Sequence, residues 1–217
     1  MLRPIFITGI GTDIGKTMVA AVVTEALHAD YWKPVQAGFE TGTDAETVAS
    51  LISNRDTVFH PESYKLTMPA SPHIAAAREG TAIDLNVLER DCKTILQQTG
   101  HKPLVIEGAG GILVPLNQHQ TVADFAMRID ARVILVSRNY LGSINHSRLT
   151  AAYCKQAGLD VAGWVFNDQY LDYEKEIVDW TGIPSLGTIA YLEKKDPETI
   201  QMYAHRFRDA LQKMMTG

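Results

Sequence analysis

Between Gly9 and Thr17 the chain reads Gly-Ile-Gly-Thr-Asp-Ile-Gly-Lys-Thr: glycines that let backbone amides turn inward, then a cation and a hydroxyl. An apolar run at residues 5–8 precedes the loop and a run suited to a buried helix, residues 18–23, follows it. Strand, glycine-rich turn and helix are the context in which such a loop cradles phosphate. Inward-facing amides and the positive end of the helix both favour an anion. Lys16 would reach β- and γ-phosphate oxygens of ATP, and the Thr17 hydroxyl would coordinate Mg²⁺. Five residues separate Gly9 from Gly15 where the usual pattern has four, so the loop is a variant.

Mg²⁺ needs further oxygen ligands, commonly a carboxylate at the end of a neighbouring strand. Glu107 closes the apolar run 103–106 and precedes Gly108-Ala109-Gly110-Gly111, a second loop able to approach a nucleotide closely. Asp44, between Thr43 and Ala45, offers either another carboxylate or a helix cap, and spacing alone leaves both open. Lys33 precedes Pro34, which drives it to extended backbone at the end of the second strand, on the same carboxyl edge. Catalysis and plain solvation are both open to an isolated lysine in that position.

The elements that must position these residues alternate from end to end. Strands are expected at residues 5–8, 31–35, 104–107, 133–137, 161–166 and 185–189. Helical patterns fall at 16–28, 45–53, 85–98, 122–129, 143–157, 173–181 and 197–214. Asp84 and Thr121 suit N-caps, and Gly100, Gly158 and Gly182 suit left-handed helix ends. The alternation predicts an α/β fold, a three-layer P-loop NTPase-like domain whose mostly parallel sheet carries helices on both faces. Without linker, repeat or low-complexity tract, residues 1–217 read as one domain, and 56–72 as an irregular excursion beside the sheet.

Composition narrows the function. Hydrophobic residues make up 46% and charged residues 21%, as in an ordinary globular protein. A formal net charge of −5 argues against nucleic acid and membrane surfaces as partners and for small molecules. No apolar run approaches a membrane span and no cleavable leader is seen, which predicts a cytoplasmic protein. The two cysteines, Cys92 and Cys154, read as buried free thiols, and the seven histidines lack metal-ligand spacing.

Several segments together carry a resemblance: the loop ending Gly15-Lys16-Thr17, Lys33-Pro34-Val35, Ser71-Pro72-His73-Ile74, Glu107-Gly108-Ala109-Gly110-Gly111, Gly142-Ser143-Ile144-Asn145-His146, and Ala162 through Asp168. In order and spacing, over nearly the whole chain, they resemble the dethiobiotin synthetase family. The resemblance implies a homodimer that joins 7,8-diaminononanoate and CO₂ into a cyclic urea while ATP becomes ADP and phosphate. It implies Lys16 and Lys33 as catalytic cations, and Thr17, Asp44 and Glu107 as Mg²⁺ ligands. It places ATP against Thr12, Asp13, Ile14, Gly15, Met18 and the Gly108-Ala109-Gly110 loop. It further implies that Asn167 and Asp168 read the adenine edge, with Ala190, Tyr191 and Leu192 as a second base-contacting loop. Lys33, Ala37, Gly142, Ser143 and Asn145 would serve the substrate, the last three as a helix start facing the carboxylate of substrate bound across a subunit boundary. His146 reads as structural.

Departures from the family pattern are local. Ala37 stands where a Ser or Thr is common, Ile10-Gly11 where Thr-Asp is common, and Asp13 where Glu is frequent. They affect substrate geometry more than ATP chemistry. Two alternatives use the same loop. A partitioning or switch ATPase usually has an extra lysine early in the loop, where this chain has Gly11. An amidoligase ATP domain usually accompanies a glutamine-hydrolysing domain, for which 217 residues leave no room. A nucleotide sensor without turnover fits poorly with intact Lys16, Thr17, Lys33 and Glu107.

Overall fold

In the computed structural model, which describes residues 2–168, 170–192 and 194–216, strand β1 (Ile5–Gly9) runs through the centre of a parallel sheet and delivers the phosphate loop to helix α1 (Lys16–Leu27). After it come β2 (Asp30–Trp32), β3 (Val35–Ala37), α2 (Asp44–Leu51), β4 (Phe59–His60), β5 (Tyr64–Leu66), α3 (Pro72–Arg78) and α4 (Leu85–Thr99). The second half holds β6 (Leu104–Glu107), α5 (Val122–Arg128), β7 (Arg132–Arg138), α6 (Ser143–Ala157), β8 (Asp160–Asn167), α7 (Tyr173–Thr181), β9 (Ser185–Ile189) and α8 (Pro197–Thr216). The main sheet has seven strands in the order β4-β2-β6-β1-β7-β8-β9, every pairing parallel.

Alternation along each strand feeds a core on either face, which is why the helices must cover both. Ile5 and Ile7 of β1 join Val19, Val22 and Val23 of α1 and Phe207 and Leu211 of α8. Phe6 points the other way, edge-on to Phe125 of α5 at 5.9 Å between ring centroids. Trp32 meets Phe125 similarly at 6.2 Å, and its indole N–H donates to the Pro61 carbonyl. Each large side chain removed from water in this way contributes about 1.5–3 kcal/mol.

Expected and observed elements differ mainly around Lys33. A single strand over residues 31–35 is corrected to two: β2 stays in the main sheet, whereas β3 pairs with β5 in a separate two-stranded sheet. Pro34 has no N–H for a ladder, so the chain leaves the first sheet there, while its carbonyl accepts from Tyr64 N at 3.0 Å. The stretch read as irregular contains β4, which extends the main sheet beside β2, and β5, and α3 follows directly. Segments this short lack a readable period.

Helix ends follow local chemistry. Asp84 accepts from Asn86 N, and Thr121 forms a capping box with Asp124. Gly158 and Gly182 close α6 and α7 in the left-handed conformation, but Gly100 takes φ 66°, ψ −109°, outside that region.

Candidate active site

Because all seven strands of the main sheet run parallel, the loops after β1, β2, β6, β7, β8 and β9 gather at one carboxyl edge, where the strand order switches around β1. A cleft of about 770 Å³ opens there, a size typical of small-molecule sites. Thr12, Asp13, Gly15, Lys16, Thr17 and Met18 form its phosphate-loop wall.

Close approach shapes this loop. A Cβ on Gly9 would lie 2.1 Å from the Val136 carbonyl oxygen, so only glycine lets β1 turn this tightly against β7. Gly15, at φ 90°, opens α1 and has the Asn167 side chain against its Cα. The Lys16 ammonium donates to the Gly11 carbonyl at 2.7 Å, folding its stem over the loop. Burial, with the Lys33 charge adding to it, lowers the Lys16 pKa to about 8 against the partial offset of Glu107, Asp44 and Asp13.

Beside the loop lies a compact charge cluster. Lys33 Nζ sits 2.6 Å from Asp44 Oδ2 and 3.2 Å from Glu107 Oε1, and donates to the Gly108 carbonyl at 3.1 Å. Thr17 Oγ1 lies 3.2 Å from Asp44 Oδ1 and 2.9 Å from Glu107 Oε1, so both carboxylates are within reach of its proton. Tyr31, inside β2, donates to Glu107 Oε2 at 2.8 Å. Burial alone would pull the Lys33 ammonium down, but the Glu107 and Asp44 carboxylates outweigh it and hold the group above the ordinary lysine value. For Asp44 burial pushes upward, yet Lys33 and Thr17 bring the carboxyl below its usual range. Burial, then the Glu107 carboxylate, raises Tyr31 well above an ordinary phenol, which keeps it an O–H donor.

The ambiguity over Asp44 resolves in the backbone. Thr43 is the cap of α2, accepting from Glu46 N while Glu46 answers at Thr43 N. Asp44 is thereby free to face the cleft, its own N–H donating to Gln36 Oε1 at 3.1 Å.

A smaller pocket of about 180 Å³ adjoins the cleft, sharing Asp13, Gly15, Met18 and Lys195 with it. It brings Ile14 together with Asn167, Asp168, Ala190, Tyr191 and Leu192, residues that lie far apart in sequence. The Asn167 amide is partly committed: Nδ2 donates to the Ile14 carbonyl at 2.7 Å. Cleft and pocket together form one channel, whose cleft end holds the phosphate loop and whose pocket end holds the Asn167–Asp168 corner.

Ala37, Ala109 and Gly110 line the cleft, and Gly108 contributes its carbonyl. Gly142, Ser143 and Asn145 line neither space in one chain: Ser143 is buried at the start of α6, with Gly142 and Asn145 exposed beside it. Sequence reasoning assigned no role to Tyr31, Gln36, Ser71, Pro72 or Lys195. Ser71-Pro72 opens α3 at the cleft wall. Tyr31 read as core, as its position inside a strand dictates. Gln36, just after Lys33-Pro34-Val35, was legible as a neighbour of the proposed lysine.

A family model described as an AAA domain matches residues 3–199. An ATP-dependent dethiobiotin synthetase BioD from Cytophaga hutchinsonii is 45% identical over 96% of this chain and 98% of that protein. The chain belongs to the ATP-dependent dethiobiotin synthetase family. Another family member, from Christiangramia forsetii, is 42% identical over 97% of this chain and 99% of its own length. Membership of the dethiobiotin synthetase family makes this chain an ATP-dependent ligase. Among solved structures, the MinD cell division protein of Aquifex aeolicus superposes with a TM-score of 0.59 at 11% identity, covering 99% of this chain and 98% of that one. That likeness establishes a shared P-loop fold, and the switch-ATPase alternative gains nothing further from it.

No helix among the described residues is long and apolar enough to cross a membrane. Nor do three His, Cys, Asp or Glu side chains among them converge into a self-sufficient metal cage.

Proposed function

We propose that this protein carboxylates 7,8-diaminononanoate with CO₂ and closes the ureido ring at the expense of ATP, releasing ADP and phosphate. The observation that carries the reading is the convergence of Lys33, Asp44, Glu107 and Thr17 beside Lys16 at the phosphate end of the channel. One amine takes up CO₂ as a carbamate and loses a proton. A carbamate oxygen attacks the γ-phosphorus, giving a carbamic-phosphoric anhydride as ADP departs. The second amine attacks the activated carbonyl, and phosphate leaves with the electron pair of the broken C–O bond.

Such a transfer depends on positioning and charge neutralisation more than on covalent help from the protein. Loop amides and Lys16 hold the phosphate tail. Lys33, kept charged by its carboxylate partners, lies where negative charge accumulates between carbamate and γ-phosphate. Val35, Ala37, Ser71 and Pro72 wall the cleft on the side left for the diamine.

The donor set fits Mg²⁺. Thr17, Asp44 and Glu107 present only hard oxygen atoms, and two carboxylates complemented by substrate phosphate are the usual support for this ion. Two lysines and two carboxylates cancel in charge, so a divalent cation would supply the positive excess that a triphosphate requires. Bound there, Mg²⁺ would polarise phosphoryl oxygens and neutralise charge on the departing ADP.

Residues 1–217 act as one domain in this reading, in the cytoplasm, where buried free thiols persist without pairing. A homodimer would bring the α6 start of a second copy to the cleft, giving Gly142, Ser143 and Asn145 the substrate role they lack within one chain. Neither nucleic acid nor membrane is a partner. Incubation with radiolabelled bicarbonate, the diamine, Mg²⁺ and ATP should give acid-stable label in proportion to ADP. Diamine-independent or DNA-stimulated hydrolysis would instead favour a switch ATPase.

A further inference from the structure

The base end of the channel is built on a corner where the chain leaves β8. Asp168 occupies the left-handed region at φ 69°, a conformation that aspartate tolerates better than most residues other than glycine, and contacts with neighbouring elements fix it there. Its N–H donates to the Ile189 carbonyl at 3.0 Å, and its carboxylate lies 3.6 Å from Arg138. A further hold comes from Asn139, one residue beyond β7. Its backbone N–H donates to the Asn167 carbonyl at 3.0 Å, and its side-chain Nδ2 to the Asp168 carbonyl at 3.1 Å.

Asn139 is 3% exposed and lines neither cleft nor pocket, so it does not touch the ligand site directly. Its Oδ1 is buried without a hydrogen-bond partner among the described residues. An amide with an unpaired buried oxygen is costly, and a leucine of similar size would fill the space without that cost. What asparagine offers here is the Nδ2 donor. It clamps the carbonyl of a residue whose neighbour, Asn167, is tied through its own amide to Ile14 in the phosphate loop.

We infer that Asn139 is a positioning residue for the nucleotide base: it sets the Asn167–Asp168 corner in the shape that receives the base, and leaves the phosphate end untouched. The inference rests on the ATP reading above. It distinguishes two ligands, ATP, which occupies both ends of the channel, and inorganic tripolyphosphate, which occupies only one.

Asn139→Ala should weaken ATP binding, and raise the KM for ATP, about five- to tenfold, with kcat and tripolyphosphate binding retained. Unchanged tripolyphosphate binding also certifies that the phosphate loop is folded. Should the alanine variant fail to fold, Asn139→Asp keeps the shape, lacks the donor and is expected to show the same split. Equal weakening of both ligands, or of neither, overturns the inference while leaving the ATP reading in place. A wild-type protein that binds no ATP would remove that reading first, and the inference with it.

Discussion

The Lys33 ammonium lies 2.6 Å from the Asp44 carboxylate, and the same cation is 3.2 Å from Glu107, a side chain only 1% exposed. Two carboxylates held this close are tolerable because a buried cation stands between them, and a charged lysine is thereby fixed at the phosphate end of the channel. Lys33→Ala should lower kcat about a hundredfold or more, with the ATP dissociation constant within about threefold of wild type. Single-turnover kinetics with parallel calorimetry would measure both. Equal losses in the two would mark Lys33 as a plain nucleotide-binding group.

Gly15→Ala tests the link between the channel's two ends. The substitution demands φ 90° from an alanine and puts its Cβ 1.9 Å from Asn167 Nδ2. Backbone strain alone costs roughly 1–2 kcal/mol, and the Asn167–Ile14 bond must also break. ATP binding should fall at least tenfold while circular dichroism stays native, since the residue serves the loop and not either core. Wild-type affinity in this variant would contradict the loop geometry.

Acid stability should be traceable in part to Glu25. Its carboxylate accepts from the backbone N–H of Ser53 and Asn54, at 3.0 and 3.1 Å, and from both side chains. Burial pushes its pKa up, but these four donors prevail and hold it below the ordinary 4.5. A depressed folded-state pKa means that the stabilisation is complete above 4.5 and is lost as pH falls through the folded value. Glu25→Gln should cost about 1–3 kcal/mol at neutral pH, with the gap to wild type narrowing in acid. Urea unfolding across that range checks it, and a gap independent of pH would be inconsistent with the assigned donors.

Both thiols should be inert. Burial raises Cys92 to about 12 and Cys154 to about 11, so the thiolate is scarce at neutral pH and both sulfurs are covered. Maleimide labelling should reach neither in the native protein and both in denaturant. Rapid native labelling would show that α4 or α6 opens readily.

The phosphate loop and the carboxyl-edge placement of Lys33 and Glu107 were legible because each rests on local grammar: glycines before a helix, a residue before proline, an acid ending an apolar run. The position of Asp44 was not, because whether it caps α2 depends on Thr43, whose capping box with Glu46 leaves the Asp44 carboxylate facing the cleft. The break at Lys33-Pro34 was hidden since Val35 continues the apolar pattern and only three-dimensional pairing sends it to a second sheet. Tyr31 looked like any core aromatic. Its hydroxyl becomes a partner of Glu107 only through the neighbouring alignment of β2 and β6.

Attack of a carbamate oxygen on the γ-phosphorus of ATP can be followed by isotope transfer. With bicarbonate enriched in the heavy oxygen isotope, quenched before exchange with water, the released phosphate should carry one heavy oxygen per turnover, detected by mass spectrometry. Phosphate whose new oxygen comes from water alone would show that the enzyme merely hydrolyses ATP, and would contradict the account.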